Sequence, residues 1–224
     1  IVDVLCAYLR MPYSPSRAPD AVQDVAKIPG SHEGAPGELE VRLAAQRIIA
    51  KHCKFVRDGD VSNPPSTFWT GVELDLSGAT LIDLDFSDCR IATPKFRDAR
   101  FCGDANFSAA TFEGPSEFTN ARFEGAAAFD DAIFRKTAHF GYAKFGDPAS
   151  FRSVVFECDD AWFAGAHFRG GAWFEEARFE ADVVFAGTSF KWDARFNDTY
   201  FSCRNIIFGK AVDSQKNSFR LDYD

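Results

Sequence analysis

What this chain has little of narrows the problem first. It has a single Met among 224 residues, and no apolar run approaches the ~18 residues needed to cross a bilayer. It begins at Ile1, and no charged stretch leads into an apolar one as in a signal peptide. The expectation is a soluble, cytoplasmic chain, with the soluble part of a membrane-tethered protein as the alternative. The six cysteines (Cys6, Cys53, Cys89, Cys102, Cys158, Cys203) form no CxxC pair and no even framework, so they read as free thiols in a reducing compartment. The four histidines (His32, His52, His139, His167) are too scattered for a metal site, and His52 and Cys53, as neighbours on a helix, point apart. No Gly-rich phosphate loop links a strand to a helix, and no Ser/His/Asp arrangement can be built. The paired carboxylates Asp130–Asp131, Asp159–Asp160 and Glu175–Glu176 fall where solvated corners are expected. The reading is therefore no enzyme, no cofactor and no metal.

Charge is also unevenly distributed. Residues 1–69 carry 8 acids and 8 bases, whereas residues 70–224 carry 25 acids and 17 bases, so the net −8 belongs to the second part. Direct nucleic-acid binding normally needs a basic patch, and this balance does not favour it.

What is plentiful is phenylalanine, 25 of them. From Leu76 the large apolar positions Leu81, Phe86, Ile91, Phe96 and Phe101 follow at steps of five. Steps of six and five then alternate through Phe107, Phe112, Phe118, Phe123, Phe129, Phe134, Phe140, Phe145 and Phe151. Single steps of seven precede Phe163 and Phe208. Over the 20 centres from Phe101 to Phe208, the residue two before the Phe is Ala in 14. As a helix, this eleven-residue double unit would place apolar residues all round the axis and fill it with poor helix formers. As a strand, positions i−2 and i share a face, so Ala and Phe point inward together and the polar residues after them turn the chain. Repetition of strand and corner winds a solenoid with coils about 4.8 Å apart. Equal steps stack on equal steps only if the number of sides is even, so a four-sided coil of 22 residues is expected, about six coils and roughly 30 Å long.

The stretch "LDLSGATLIDLDFSDCRI", followed by units such as "ANFSA", "ARFEG" and "AHFRG", resembles the pentapeptide-repeat family, in particular its Phe-rich branch abundant in actinobacteria. The resemblance covers about residues 70–210. It departs from the common pattern in putting Phe for Leu at nearly every centre and adding a residue to every second unit. It implies a mainly β fold, a right-handed quadrilateral β-helix with a helical N-terminal cap. It also implies a non-enzymatic scaffold that meets a protein partner. The alternative within the family is a DNA mimic that binds DNA gyrase or another type II topoisomerase, as fluoroquinolone-resistance proteins of this kind do.

The front of the chain reads differently. "IVDVLCAYLRM" is a short apolar helix, "DAVQDVAKI" a second helical piece, and "GELEVRLAAQRIIAKHCKF" the clearest helix, with Val41, Ala45, Ile48, Ile49 and His52 at helical spacing. The expected organisation is a helical cap and linker over 1–69, the repeat array over 70–210, and a tail or cap over 211–224.

If the interior is Ala and Phe, function lies on the outside. One coil apart, Arg100, Arg122, Lys144 and His167 make a basic row, and Glu113, Glu157 and Glu180 make an acidic one two sides away. Between them, Asp130, Asp131, Glu175, Glu176 and Asp198 form a broader acidic patch. Together with Glu157 and Glu180, these acids are the candidate partner site. On the fourth side Trp162, Val184 and Ile207 read as an exposed apolar row, a candidate homodimer contact.

Overall fold

The computed structural model describes residues 1–15, 37–55, 66–157, 160–202, 205–208 and 212–213. The expected helix over "DAVQDVAKI", Cys158, Asp159, Cys203 and nearly all of the tail lie outside those residues. Among the described residues, two helices, α1 (Val2–Leu9) and α2 (Glu38–Cys53), precede 24 short strands. Every strand-to-strand ladder is parallel, as a solenoid requires.

The strands fall on four faces. One carries seven strands, from Glu73–Asp75 through Ser116–Glu117 to Ile206–Ile207, and another carries six, from Arg90–Ile91 to Tyr200–Phe201. The remaining two faces join into one sheet, because Thr80–Asp85 and Arg100–Asn106 each run round the corner between them. At that corner Gly103 has φ +76 and lies against the Asp83 carboxylate, where a Cβ would meet an oxygen at 2.0 Å. Successive coils pair at an offset that grows from 20 residues in the first coil, Glu73 with Thr93, to 22 in the middle, Thr111 with Ile133, and 23 across the seven-residue step, Ala138 with Ala161.

The uneven spacing of the phenylalanines records two kinds of corner. The five-residue step is a tight two-residue turn whose second residue has positive φ: Asp98, Asn120, Tyr142 and Gly165 on one edge of the rod, Asp88, Asp131, Ser153 and Glu176 on another. The six-residue step is a wider bend, such as "EGPS" after Phe112 and "GDPA" after Phe145. Asp, Asn and Gly are the residues that tolerate the left-handed region most readily, which explains the polar character of the tight corners.

Inside, the phenylalanines stack in four columns along the rod. Phe118, Phe140 and Phe163 follow one another with centroids 4.8 and 5.0 Å apart and planes within 4°. Phe101, Phe123 and Phe145 do the same at 4.4 and 4.8 Å. Between columns the rings meet edge to face, as Phe129 does with Phe140 at 5.4 Å and 88°. Both geometries are favoured by the ring quadrupole. The whole ladder from Phe101 to Phe151 is buried, as are the alanines two residues before each centre.

The helices lie against the first coil and answer its open hydrogen-bonding edge. Gln46 of α2 donates from Nε2 to the Ile82 carbonyl at 2.7 Å and accepts the Ile82 N–H at 2.9 Å, so its amide acts as a short extra strand. Arg10 donates to the Asp75 carbonyl at 2.6 Å, and the Phe55 N–H reaches the Asp88 carbonyl at 2.8 Å. Arg42, 1% exposed, donates to the Leu9 and Met11 carbonyls, which end α1, and pairs with Glu38. The buried stripe of α2 is thus Arg42, Ala45, Gln46, Ile49, Ala50 and Cys53. The spacing had placed Val41 and Ile48 inward, but both are exposed. The helix is rotated because its polar groups are needed where backbone groups would otherwise be left bare. Among the described residues, no helix is long and apolar enough to cross a membrane.

Cys6, Cys53, Cys89 and Cys102 are free and buried. Burial pushes the Cys6 and Cys102 thiols up to about 11 and Cys53 up to about 12, with Cys89 raised further. The expected result is that these thiols in the native protein do not react with maleimide at neutral pH and become reactive in urea. Because the unfolded thiols ionise near 9.0 and the folded ones do not, their contribution to stability is complete below pH 9.0. It is lost as the pH rises through about 11 to 12. Rapid labelling of the folded chain at neutral pH would contradict this.

Candidate interaction surface

The strand register decides which surface residues become neighbours. Arg100 pairs with Arg122, Arg122 with Lys144, and Lys144 with His167, so the expected basic row is continuous along one face. The residues just after the same phenylalanines add to it: Arg169 follows Phe168, and Lys191 follows Phe190. At the start of the row Arg100 is engaged by Glu124 through contacts of 2.7 and 3.2 Å. Beyond it Arg122, Lys144, His167, Arg169 and Lys191 are all exposed, and among the described residues their side chains form no ion pair. Clefts of about 630, 410 and 360 Å³ run along this face, and Lys144 lines all three.

The acidic side is built otherwise. Glu113 and Glu157 stand in the expected column, but Arg135 sits between them, 3.3 Å from Glu113 and 3.7 Å from Glu157. Glu180 lies 3.9 Å from Arg178. In the broader patch, Asp130 accepts from the Ser150 hydroxyl and from the Arg152 N–H, the latter at 3.1 Å. Arg152 also reaches Glu175 at 3.1 Å while its guanidinium lies 4.4 Å from the Trp173 ring centroid. Arg195 approaches Glu175 from the next coil at 3.8 Å. Glu176 accepts from Ser153, and Asp131, Glu176 and Asp198 occupy tight corners with φ of 58°, 60° and 55°. The three arginines between the acids follow from the same coil-on-coil stacking, applied to bases as well as acids.

On the apolar row the structure separates three residues that the sequence grouped. Trp162 pairs with Val184 and Val184 with Ile207. Trp162 and Ile207 are 39% and 48% exposed, whereas Val184 is 7% exposed because its larger neighbours above and below cover it. Among the described residues, no group of three or more His, Cys, Asp or Glu could hold a metal ion.

Comparison with protein families agrees with the coil geometry. The model described as "Pentapeptide repeats (9 copies)" matches in overlapping segments at 76–122, 86–133, 107–155 and 129–178. The solenoid belongs to the pentapeptide-repeat family. No curated protein matches the chain, and no solved structure does. The matched segments run from Leu76 in the first coil, where Leu and Ile hold most centres, to residue 178 in the Phe-stacked coils, with one seven-residue step before Phe163.

Proposed function

We propose that this pentapeptide-repeat protein is a non-catalytic scaffold that binds a protein partner through one charged face of its rod. The observation that carries this reading is the interior. Among the described residues, the buried polar groups are Arg42, Gln46, Thr80, Ser116, Ser150 and Thr188. Arg42 and Gln46 serve the helix contact with the first coil, while Thr188 donates to the Phe163 carbonyl and Ser116 to that of Gly114. A catalytic pocket needs convergent polar groups inside a cavity, and here Ala and Phe occupy that place. In this reading residues 1–69 close the first coil, 70–210 display the surface, and the helices keep the first edge from pairing with another chain.

The gyrase-type alternative would use Asp130, Asp131, Glu157, Glu175, Glu176, Glu180 and Asp198 as surrogate phosphates. Arg135, Arg152 and Arg195 stand among those acids. A field of paired charges is a poor substitute for DNA, with its one charge per ~1.7 Å. The expected result of a supercoiling assay with micromolar protein is neither inhibition nor protection of DNA gyrase; stoichiometric inhibition would replace the scaffold reading with the mimic. The scaffold itself is tested by affinity capture from the source cells. One protein captured saturably, and displaced by free chain, is expected; capture that free chain does not compete overturns it.

A further inference from the structure

The unpaired basic face carries an inference about the partner's chemistry that rests on the scaffold reading above. We propose that the face bearing Arg122, Lys144, His167, Arg169 and Lys191 is a docking strip for a short, extended, acidic segment of a protein. These side chains lie on four successive coils, a run of about 14 Å at the usual strand spacing. An extended peptide covers that distance in about four residues. Arg122, Lys144, Arg169 and Lys191 are left without internal partners on a chain whose net charge is −8, while arginines on the acidic faces are engaged by neighbouring carboxylates. Charge complementarity therefore selects an anion for this face.

Two exposed aromatics flank the strip, Tyr142 on the coil of Lys144 and Trp192 on the coil of Lys191. Tyr142 lines the 630 Å³ cleft and is 62% exposed, and Trp192, next to Lys191, is 60% exposed. Tyr142 is also in the wrong backbone state for its type. Its φ is +56, at a corner that the other coils fill with Asp98, Asn120, Gly165 and Gly187. Gly165 makes room for it, since a Cβ there would meet the Tyr142 ring at 2.6 Å. A bulky aromatic held exposed in a left-handed corner is a place where backbone strain is kept for recognition. Tyr, Trp and Arg are the side chains that dominate protein–protein binding energy. A single nucleic-acid strand fits less well. It would want an exposed aromatic platform at successive positions along the track, and on the rungs from Arg122 to Arg169 other than that of Tyr142 the lining Phe123 and Phe168 are buried.

The test uses the full chain and a fluorescent six-residue Asp/Glu-rich peptide, with a single-stranded oligonucleotide of equal charge as the second probe. The expected result is saturable peptide binding that weakens as salt rises. Lys144→Glu with Arg169→Glu weakens it by at least about tenfold, because like charges then face the ligand. Arg178→Glu, on the opposite face, leaves it unchanged. Tyr142→Asn removes the left-handed strain, so it lowers peptide affinity while raising the melting temperature, a pairing that simple loss of structure cannot produce. No saturable peptide binding, equal loss in Arg178→Glu, or tighter binding of the oligonucleotide would each overturn the proposal. If the peptide fails while competed capture from cells succeeds, the scaffold reading stands and the partner docks elsewhere. If the peptide binds and competed capture fails, the strip is real and the scaffold reading falls.

Discussion

Phe140→Ala lowers the free energy of unfolding by about 3–5 kcal/mol, the range for deleting a fully buried aromatic. Phe140 sits in the middle of its column, between Phe118 and Phe163, and meets Phe129 and Phe151 edge-on at 5.4 and 5.5 Å. A hole there has rigid rings on every side and cannot collapse, so both transfer and cavity contributions are felt. Because each coil touches only its neighbours, the loss also weakens the coupling between the two halves of the rod. Urea unfolding followed by circular dichroism then shows a lower midpoint and a shallower or two-step transition. Phe201→Ala, where the ring is only partly buried, costs less than half as much. A loss below ~1 kcal/mol at Phe140 would mean that the stacked interior is not what holds the coils together.

Gln46→Leu costs about 2–4 kcal/mol although it replaces a buried polar side chain with an apolar one of similar size. The substitution strands the Ile82 N–H and C=O, which Gln46 now satisfies at 2.9 and 2.7 Å. A buried unpaired backbone group carries a penalty of roughly 1–3 kcal/mol. Gln46→Glu distinguishes this account from simple repacking. A carboxylate still accepts the Ile82 N–H but cannot donate to its carbonyl, and a protonated acid can do both. The Glu variant is therefore destabilised at neutral pH and recovers as the pH falls. Thermal melts across that range measure it; a Leu variant as stable as the parent, or a Glu variant without recovery, would contradict the edge-capping role.

The repeat was legible because it obeys a strict local rule. Two inward positions in every five or six residues suffice to give the strand, the corner, the number of sides and the identity of the core, from Phe101 to Phe151. The rotation of α2 was not legible. Its burial is decided by which carbonyls and N–H groups of α1 and the first coil need partners, and that information sits 31 to 36 residues away from Arg42 and Gln46. The surface was half legible. The 22-residue register located the basic row, yet scanning acids alone concealed Arg135, Arg152 and Arg195, which turn an apparent acidic ridge into a series of ion pairs. Such exposed pairs contribute modestly to stability, ~0–1 kcal/mol each. Their larger effect is on recognition, since they leave one face with uncompensated charge. Val184 shows the same limit in the apolar row: register gave its position, but only the bulk of Trp162 and Ile207 determines its exposure.

The central claim is that a closed Phe interior leaves recognition to one face of a four-sided rod. The most direct measurement places a photo-crosslinking residue singly at Trp162, Ser189, Arg195 and Arg178, one on each face, and irradiates each chain in a lysate of the source cells. The account predicts a saturable crosslink to one protein from Ser189 alone, abolished by excess free chain. No competed crosslink from any face, or equal crosslinking from all four, would contradict it.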